Sequence, residues 1–507
     1  MKRLLFILLS LLLLTGCGQQ GSEENEYPDE SHTVCSIVLS DEQITVDGQP
    51  ASQDSADRVY IAHDIVYYPT GQDFTFGEGS EEDAHTPEEA AAHTVVHITE
   101  SGVYRLSGKL SAGQIAIDLG EDAEDDPDAA ISLQLAGVDI TCTVAPAIVF
   151  YNVYECGDKD NPTATVNLDY AGALVKLQDD TINRVSGSYV ARIYKPGTVE
   201  LSEDGTEVLD AKKLHKYDAA FYSKMSMVIT GNTGILEIDA ENEGLDSEMH
   251  LTIKGGDIRI RSGNDGINTN EDGVSVTTID GGSLNITVTG ETGEGDGIDS
   301  NGWLVINGGT VTTAACGFSA DAGIDSDMGI HINGGTVLAT GNMLDQIAES
   351  KQTYAVFQFA QPQTGGSLYQ LRNSSGAVVA EYAPANDFSC MIVSSDPLIP
   401  GEYSLWCGDT QLSVTTGGMG GFHPGGFGGG MMPPPDGAQP EMSAFQPNGR
   451  PEDLPEFSPE NPPEGMPPQS QPGGFQGYPE ESLSGGTLVF RIQTGSNMFL
   501  VLGPVTE

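Results

Sequence analysis

Along residues 218–342 apolar and polar positions alternate, and the alternation returns at a nearly constant interval. Leu251 and Ile253, Leu304 and Ile306, and Ile330 and Ile332 flank Thr252, Val305 and His331, a period of two that predicts short strands. A second run follows each time: Ile258 and Ile260; Leu284, Ile286 and Val288; Val311 and Thr313; Val337 and Ala339. Between the runs stand Gly255-Gly256, Gly281-Gly282, Gly308-Gly309 and Gly334-Gly335, spaced 26, 27 and 26 residues apart. Strands and glycine turns at such a period, without a helical pattern, predict an all-β solenoid. About two or three short strands per repeat would stack into a parallel β-helix around one continuous core.

A second signature runs through the same repeats: Gly244-Leu245-Asp246-Ser247, Gly266-Ile267-Asn268-Thr269, Gly297-Ile298-Asp299-Ser300 and Gly323-Ile324-Asp325-Ser326, preceded by the degenerate Ala220-Phe221-Tyr222-Ser223. If the aliphatic residues face the core, Asp246, Asn268, Asp299 and Asp325 face outward and stack at one strand spacing, about 4.8 Å. Two carboxylates at that distance repel by about 3 kcal/mol at an effective dielectric near 20. Calcium, which takes about 6–8 oxygens at about 2.4 Å, is the expected compensation, with backbone carbonyls and Asp265, Asp296 or Asp321 as further ligands. The alternative is that these side chains cap turn amides.

The flanking sequence reads as a series of segments. Lys2 and Arg3, the apolar residues 4–14 and Leu14-Thr15-Gly16-Cys17 predict a secretory signal over residues 1–16, too short to span a bilayer. The Leu-Thr-Gly-Cys ending is similar to that of bacterial lipoprotein signals. That resemblance implies cleavage before Cys17, acylation of its thiol, and an extracellular protein held to the cell membrane through lipid alone. Residues 17–33 form an acidic tether, and the solenoid is expected over 34–342. Within it, strand-like runs lie at 34–39, 44–46 and 59–68. Thr86-Pro87-Glu88-Glu89 starts a short helix reaching His93, and 102–119 and 131–152 look like early, less regular coils. Residues 179–215 carry most of the local Lys and Arg and are expected to project as an insertion. A small β module follows over 343–416. Residues 417–480, rich in Gly, Pro and Met, are expected to be disordered, and strand character returns in 481–507.

The formal charge of -53 over 507 residues argues against a nucleic-acid partner and against direct attraction to anionic lipid. An acidic polymer would also be repelled unless a divalent cation bridged the two. Of the seven cysteines, six remain once Cys17 is assigned to lipid, and Cys142 with Cys156 and Cys390 with Cys407 are candidate disulfides. No Cys-x-x-Cys or His-x-x-x-His spacing suggests zinc.

Asp296-Gly297-Ile298-Asp299-Ser300 followed by Leu304-Val305-Ile306-Asn307-Gly308-Gly309-Thr310 resembles the bacterial extracellular lipoproteins called carbohydrate-binding-domain-containing proteins. So do Gly102-Val103-Tyr104-Arg105-Leu106-Ser107-Gly108 and Leu135-Ala136-Gly137-Val138-Asp139-Ile140-Thr141. The resemblance implies a right-handed parallel β-helix similar to pectate lyases, with bound calcium, that binds plant or other acidic polysaccharides without established cleavage. A polysaccharide is the expected partner, with polygalacturonate or cellulose as the candidates. The insertion at 179–215, Tyr222 and Asn268 depart from the family pattern.

A sugar site on such a scaffold would use outward side chains of one face. Trp303 is the stacking candidate because Leu304 and Ile306 face inward, with His250 beside it and Arg259 and Arg261 on the following strand. A Trp303 covered by a neighbouring loop is the alternative. A second reading is an enzyme: a lyase with Arg259 or Arg261 as base and calcium as electrophile, or a hydrolase with paired carboxylates. Asn268-Thr269-Asn270-Glu271-Asp272-Gly273 resembles a polygalacturonase motif, but no catalytic residue is assigned. A third reading is a structural or adhesive surface protein.

Overall fold

Alternation sends every second side chain of each strand into a core, and the strands find partners one repeat away. The computed structural model describes residues 33–214, 216–348, 350–416 and 486–504. The expected leader, Cys17, the tether up to residue 32 and the Gly/Pro/Met-rich stretch lie outside the described residues. The fold is all-β, with large mixed sheets and almost no helix. The described residues divide into two compact units. One holds residues up to 217 together with 221–236 and 247–256; the other holds 218–220, 237–246 and the described residues from 257 onward.

In the first unit Cys35–Leu39, Gly102–Leu110, Ile131–Cys142, Ala173–Leu177, Met227–Gly231 and Leu251–Ile253 pair in parallel, one after the other. Their register stacks Cys35, Tyr104, Leu133, Val175, Ile229 and Ile253 in a single buried column. A second ladder runs through Val59–Ala62, Thr94–Ile98, Gly113–Asp118 and Ile148–Asn152, parallel except for its first pair. The helix Pro87–Ala91 starts in a capping box. The Thr86 hydroxyl accepts from the Glu89 amide and the Glu89 carboxylate accepts from the Thr86 amide, before β-branched Thr94 restores strand geometry. Two expectations change here. The run 59–68 is strand only over Val59–Ala62. Within 179–215, Ile182–Gly187 does not project: it pairs in parallel with Ile131–Cys142 and buries Asn183 and Val185.

In the second unit Asp257–Ser262, Ser283–Val288, Thr310–Ala314 and Thr336–Gly341 form a parallel ladder stacking Ile258, Leu284, Val311 and Val337. Val276–Ile279, Trp303–Ile306 and Gly329–Ile332 form another, stacking Ile279, Ile306 and Ile332. The glycine pairs make the corner between these ladders. Gly282, Gly309 and Gly335 have φ of +82°, +76° and +81°, a region that disfavours side chains. A Cβ on Gly335 would also stand 2.6 Å from the Gly309 carbonyl oxygen, because the turns stack backbone on backbone.

The C-terminal module continues from the last repeat: Phe388–Ser394 pairs antiparallel with both Thr336–Gly341 and Tyr354–Gln363. Ser496–Pro504 lies parallel to Tyr354–Gln363 and antiparallel to Thr410–Thr416, so the chain on either side of 417–485 joins one sheet system. Phe357, Phe388, Phe490 and Phe499 fill its core with Tyr369, Leu371, Tyr403 and Leu405. All six described cysteines are free, so neither expected disulfide forms. Cys142 is buried at the end of its strand. Cys390 sits opposite Gly341 and Gln358, and Cys407 opposite Tyr369 and Thr410, so neither is the other's cross-strand neighbour.

Candidate metal centre

The Gly-aliphatic-Asp/Asn-Ser/Thr signatures of the second unit form its third ladder. Ile267–Thr269 pairs in parallel with Ile298–Ser300, placing Asn268 against Asp299 and Thr269 against Ser300. Backbone bonds from Leu245 N to Gly266 O, Ile267 N to Gly297 O and Asp325 N to Ile298 O extend it in both directions. Leu245, Ile267, Ile298 and Ile324 are fully buried on its inner side. On the opposite side two columns of polar groups result. One is Asp246, Asn268, Asp299 and Asp325; the other, three residues earlier in each signature, is Glu243, Asp265 and Asp296, and ends at Ala322.

These groups are far less exposed than outward strand positions suggest. Asp246 is completely buried and accepts from Asn270 Nδ2 at 2.6 Å. Asn268 is buried and donates from Nδ2 to Glu243 Oε1 at 3.1 Å. Asp265, Asp296, Asp299, Asp321 and Asp325 are half-buried.

Some of their oxygens cap backbone amides, as the alternative reading anticipated. Asp265 Oδ1 accepts from Asp296 N at 2.7 Å, Asp296 Oδ1 accepts from Ala322 N, and Asp321 Oδ2 accepts from Gly295 N at 2.8 Å and from the Ser319 hydroxyl. Others are left over: Asp325 Oδ1, Asn268 Oδ1 and Glu243 Oε2 are buried and meet no hydrogen-bond partner among the described residues. A buried oxygen without a donor costs about 1–3 kcal/mol, more if charged, so each of the three marks a place for a positive group.

Carboxyl oxygens of Asp296, Asp299 and Asp325 lie within 4.8 Å of one another. Burial first, then neighbouring carboxylates, pushes Asp299 and Asp325 up to about 7. Asp265 also reaches about 7, by burial and despite its amide bond. Burial, with Asp265, Asp325 and Asp299 beside it, holds Asp296 well above the ordinary carboxylate range; burial, with Asp218 and Asp265, does the same for Glu243. Burial, with Asp272 and Asp345 beside it, raises Asp327, and burial raises Asp345 despite its bonds to backbone amides. Without a cation, several of these groups hold protons near neutrality. A calcium ion about 2.4 Å from each oxygen accepts ligands up to about 4.8 Å apart, and an all-oxygen donor set of carboxylates and an amide suits a hard divalent ion. The donors present fit calcium.

Sequence reasoning missed Glu243, Asp327 and Asp345. Glu243 was legible as the residue before the signature glycine, the place Asp265 and Asp296 hold in their repeats. Asp327 was legible as the residue that follows the signature, the place Asn270 and Asn301 hold in their repeats, whereas Asp345 comes from chain beyond the last repeat.

Of the sugar-site candidates, Trp303, Arg259 and Arg261 lie in the second unit and His250 in the first. Trp303 is half-buried, between Val276 and Gly329 in its ladder. His250, expected on an outward face, is 1% exposed, and burial lowers it to about 4. It lines a cavity of about 290 Å³ in the first unit with Cys156, Asn161, Thr163 and Asn167. Arg259 and Arg261 are exposed but engaged: Arg259 pairs with Asp257 at 2.6 Å and Glu237 at 3.2 Å, Arg261 with Asp239 at 3.1 Å and Glu291 at 3.3 Å.

A model of carbohydrate-binding domain-containing proteins matches residues 92–358, slightly more than half of the chain. Among solved structures, a polysaccharide lyase-like protein from C. thermocellum, in its gadolinium derivative, is similar at 20% identity and a TM-score of 0.35. That match covers 63% of this chain and the whole of the other. No curated protein matches.

Proposed function

The chain belongs to the family of carbohydrate-binding domain-containing proteins, and from that premise we propose that it is a calcium-dependent, non-catalytic binder of acidic polysaccharide. The observation that carries the calcium is the meeting of Asp296, Asp299 and Asp325 within 4.8 Å, with a buried oxygen of Asp325 left without a donor. These three residues would hold the ion. When bound, it would neutralise the cluster and offer its remaining coordination positions to a sugar carboxylate. On a chain of net charge -53, the ion would offset part of the repulsion a polyuronate meets on approach.

Parallel ladders whose partners lie one repeat apart support a right-handed parallel β-helix as the scaffold. The leader and Cys17 support an extracellular protein, lipid-anchored to the cell membrane. Ion pairing, with Asp257 for Arg259 and Asp239 for Arg261 as the leading partner, raises both guanidinium groups above their ordinary range. A lyase base must lose its proton, so these two side chains fit binding better than elimination.

The test mixes the protein with polygalacturonate or cellulose, in calcium or in chelator, following retention and the ultraviolet absorbance of unsaturated uronate. Calcium-dependent retention on polygalacturonate without new absorbance is expected, and it should be lost in Asp299→Ala, Asp325→Ala. Rising absorbance that chelator abolishes would make the protein a lyase; no retention on either polymer would leave the structural reading.

A further inference from the structure

The second tryptophan, Trp406, lies in the C-terminal module, beyond the residues that match the family model. On Gly401–Cys407, Tyr403 and Leu405 enter the module core, which turns Ser404 and Trp406 to the opposite face. On Tyr369–Asn373 the same parity buries Tyr369 and Leu371 and turns out Gln370 and Arg372. Register sets Glu381, Gln370, Trp406 and Gln411 in one row across four strands, about 14 Å long at ordinary strand spacing.

This row is rigid and polar around one ring. Arg372 lies over the indole, its guanidinium carbon 4.4 Å from the ring centroid, and donates from Nε and Nη2 to Gln370 Oε1 at 3.2 and 2.6 Å. Trp406 Nε1 donates to Ser404 Oγ at 2.9 Å, and Gln370 Nε2 to Glu381 Oε2 at 3.0 Å. Arg58, Arg192, Arg259 and Arg261 each pair with a carboxylate of this acidic chain, whereas the partners of Arg372 among the described residues are a neutral amide, as for Arg105, and an aromatic ring. A guanidinium over an indole, with no carboxylate partner among the described residues, sets a cation on one face of an aromatic ring.

We propose that this face is a second carbohydrate site, which takes a hexuronate residue by pairing its carboxylate with Arg372 and laying its pyranose ring against the Arg372–Trp406 stack. It rests on the carbohydrate reading of the chain but not on calcium, because its positive charge is built in.

The test uses the full chain carrying Trp303→Phe, which leaves Trp406 as the single tryptophan, in chelator. Trigalacturonate should shift Trp406 fluorescence saturably, and cellotriose should do so much more weakly. Arg372→Gln should weaken the trigalacturonate response about tenfold or more, the scale of one charged hydrogen-bonded contact, and Arg372→Lys should restore part of it. Silence toward trigalacturonate, equal responses to the two sugars, or an unchanged Arg372→Gln titration would overturn the proposal. Asp299→Asn with Asp325→Asn should leave this signal intact while abolishing calcium-dependent retention, so failure at either site is read separately.

Discussion

Two stacks of side chains climb the second unit at the same repeat spacing and end in opposite states. In the first, Asp280, Asn307 and Asn333 stand before the glycine pairs; Asn307 Nδ2 donates to Asp280 Oδ1 at 2.9 Å and Asn333 Nδ2 to Asn307 Oδ1 at 3.0 Å. In the second, Asn268, Asp299 and Asp325 present acceptors on successive rungs, and Asn268 and Asp325 each keep a buried oxygen without a partner among the described residues. The spacing is common to both, so it does not explain the difference. An amide is donor and acceptor at once and lets a stack close on itself. Carboxylates on adjacent rungs have nothing to donate, and they require a proton or a metal ion from outside.

The largest effect should come from giving the open stack the chemistry of the closed one. Asp299→Asn with Asp325→Asn replaces a repulsion of about 3 kcal/mol, at an effective dielectric near 20, by amides able to bond along the stack. In chelator at pH 8, calorimetry should find this variant melting several degrees above the wild type, and calcium should no longer raise its Tm. A calcium-induced rise as large as that of the wild type would move the metal elsewhere.

Proton uptake gives the next effect. Asp265, Asp299 and Asp325 reach about 7 in the folded chain, against about 3.9 for an unfolded aspartate. The folded state therefore binds more protons between those values, so stability from these groups is complete below about pH 4 and is lost as pH rises through about 7. In chelator the Tm should fall from pH 5 to pH 8; with calcium in place of the protons the fall should be much smaller. Parallel curves in the two media would count against a metal at this cluster.

Opening the closed stack should cost less. Asn307→Asp sets a carboxylate beside Asp280 where both positions are exposed, so the loss should be about 1 kcal/mol or less and should fade at high salt. A Tm insensitive to salt would show that the Asn307 amide contributes nothing. The smallest change is expected for Arg261→Ala, which removes exposed pairs with Asp239 and Glu291, each contributing less than about 1 kcal/mol. Calcium-dependent retention on polygalacturonate should be unaffected; a clear loss would move the sugar site to that strand.

Much of the fold was legible because repeats convert sequence spacing directly into register. Gly-Gly pairs 26, 27 and 26 residues apart place Asp257 opposite Ser283, Ser283 opposite Thr310, and Thr310 opposite Thr336. Asp299 and Asp325 could be named for the same reason. Alternation decides which side of a strand a residue takes, but not what covers that side. Asp246 and His250 occupy outward positions by parity and are nonetheless buried. The 179–215 segment misled by its charge: Ile182 and Arg184 are exposed and Ser186 is half-buried, while Asn183 and Val185, between them, are buried. Paired cysteines in the sequence likewise say nothing about whose strand neighbour each becomes.

The antiparallel join between Thr336–Gly341 and Phe388–Ser394 also sets the limit of growth. A stack of parallel rungs offers the same unpaired edge after every repeat and will accept another rung from any chain that carries one. A strand running the opposite way breaks that offer, because the next parallel rung no longer finds the register it needs. The C-terminal module thus covers the last edge of this ladder with a strand running the opposite way, an edge that a further parallel rung would otherwise have met.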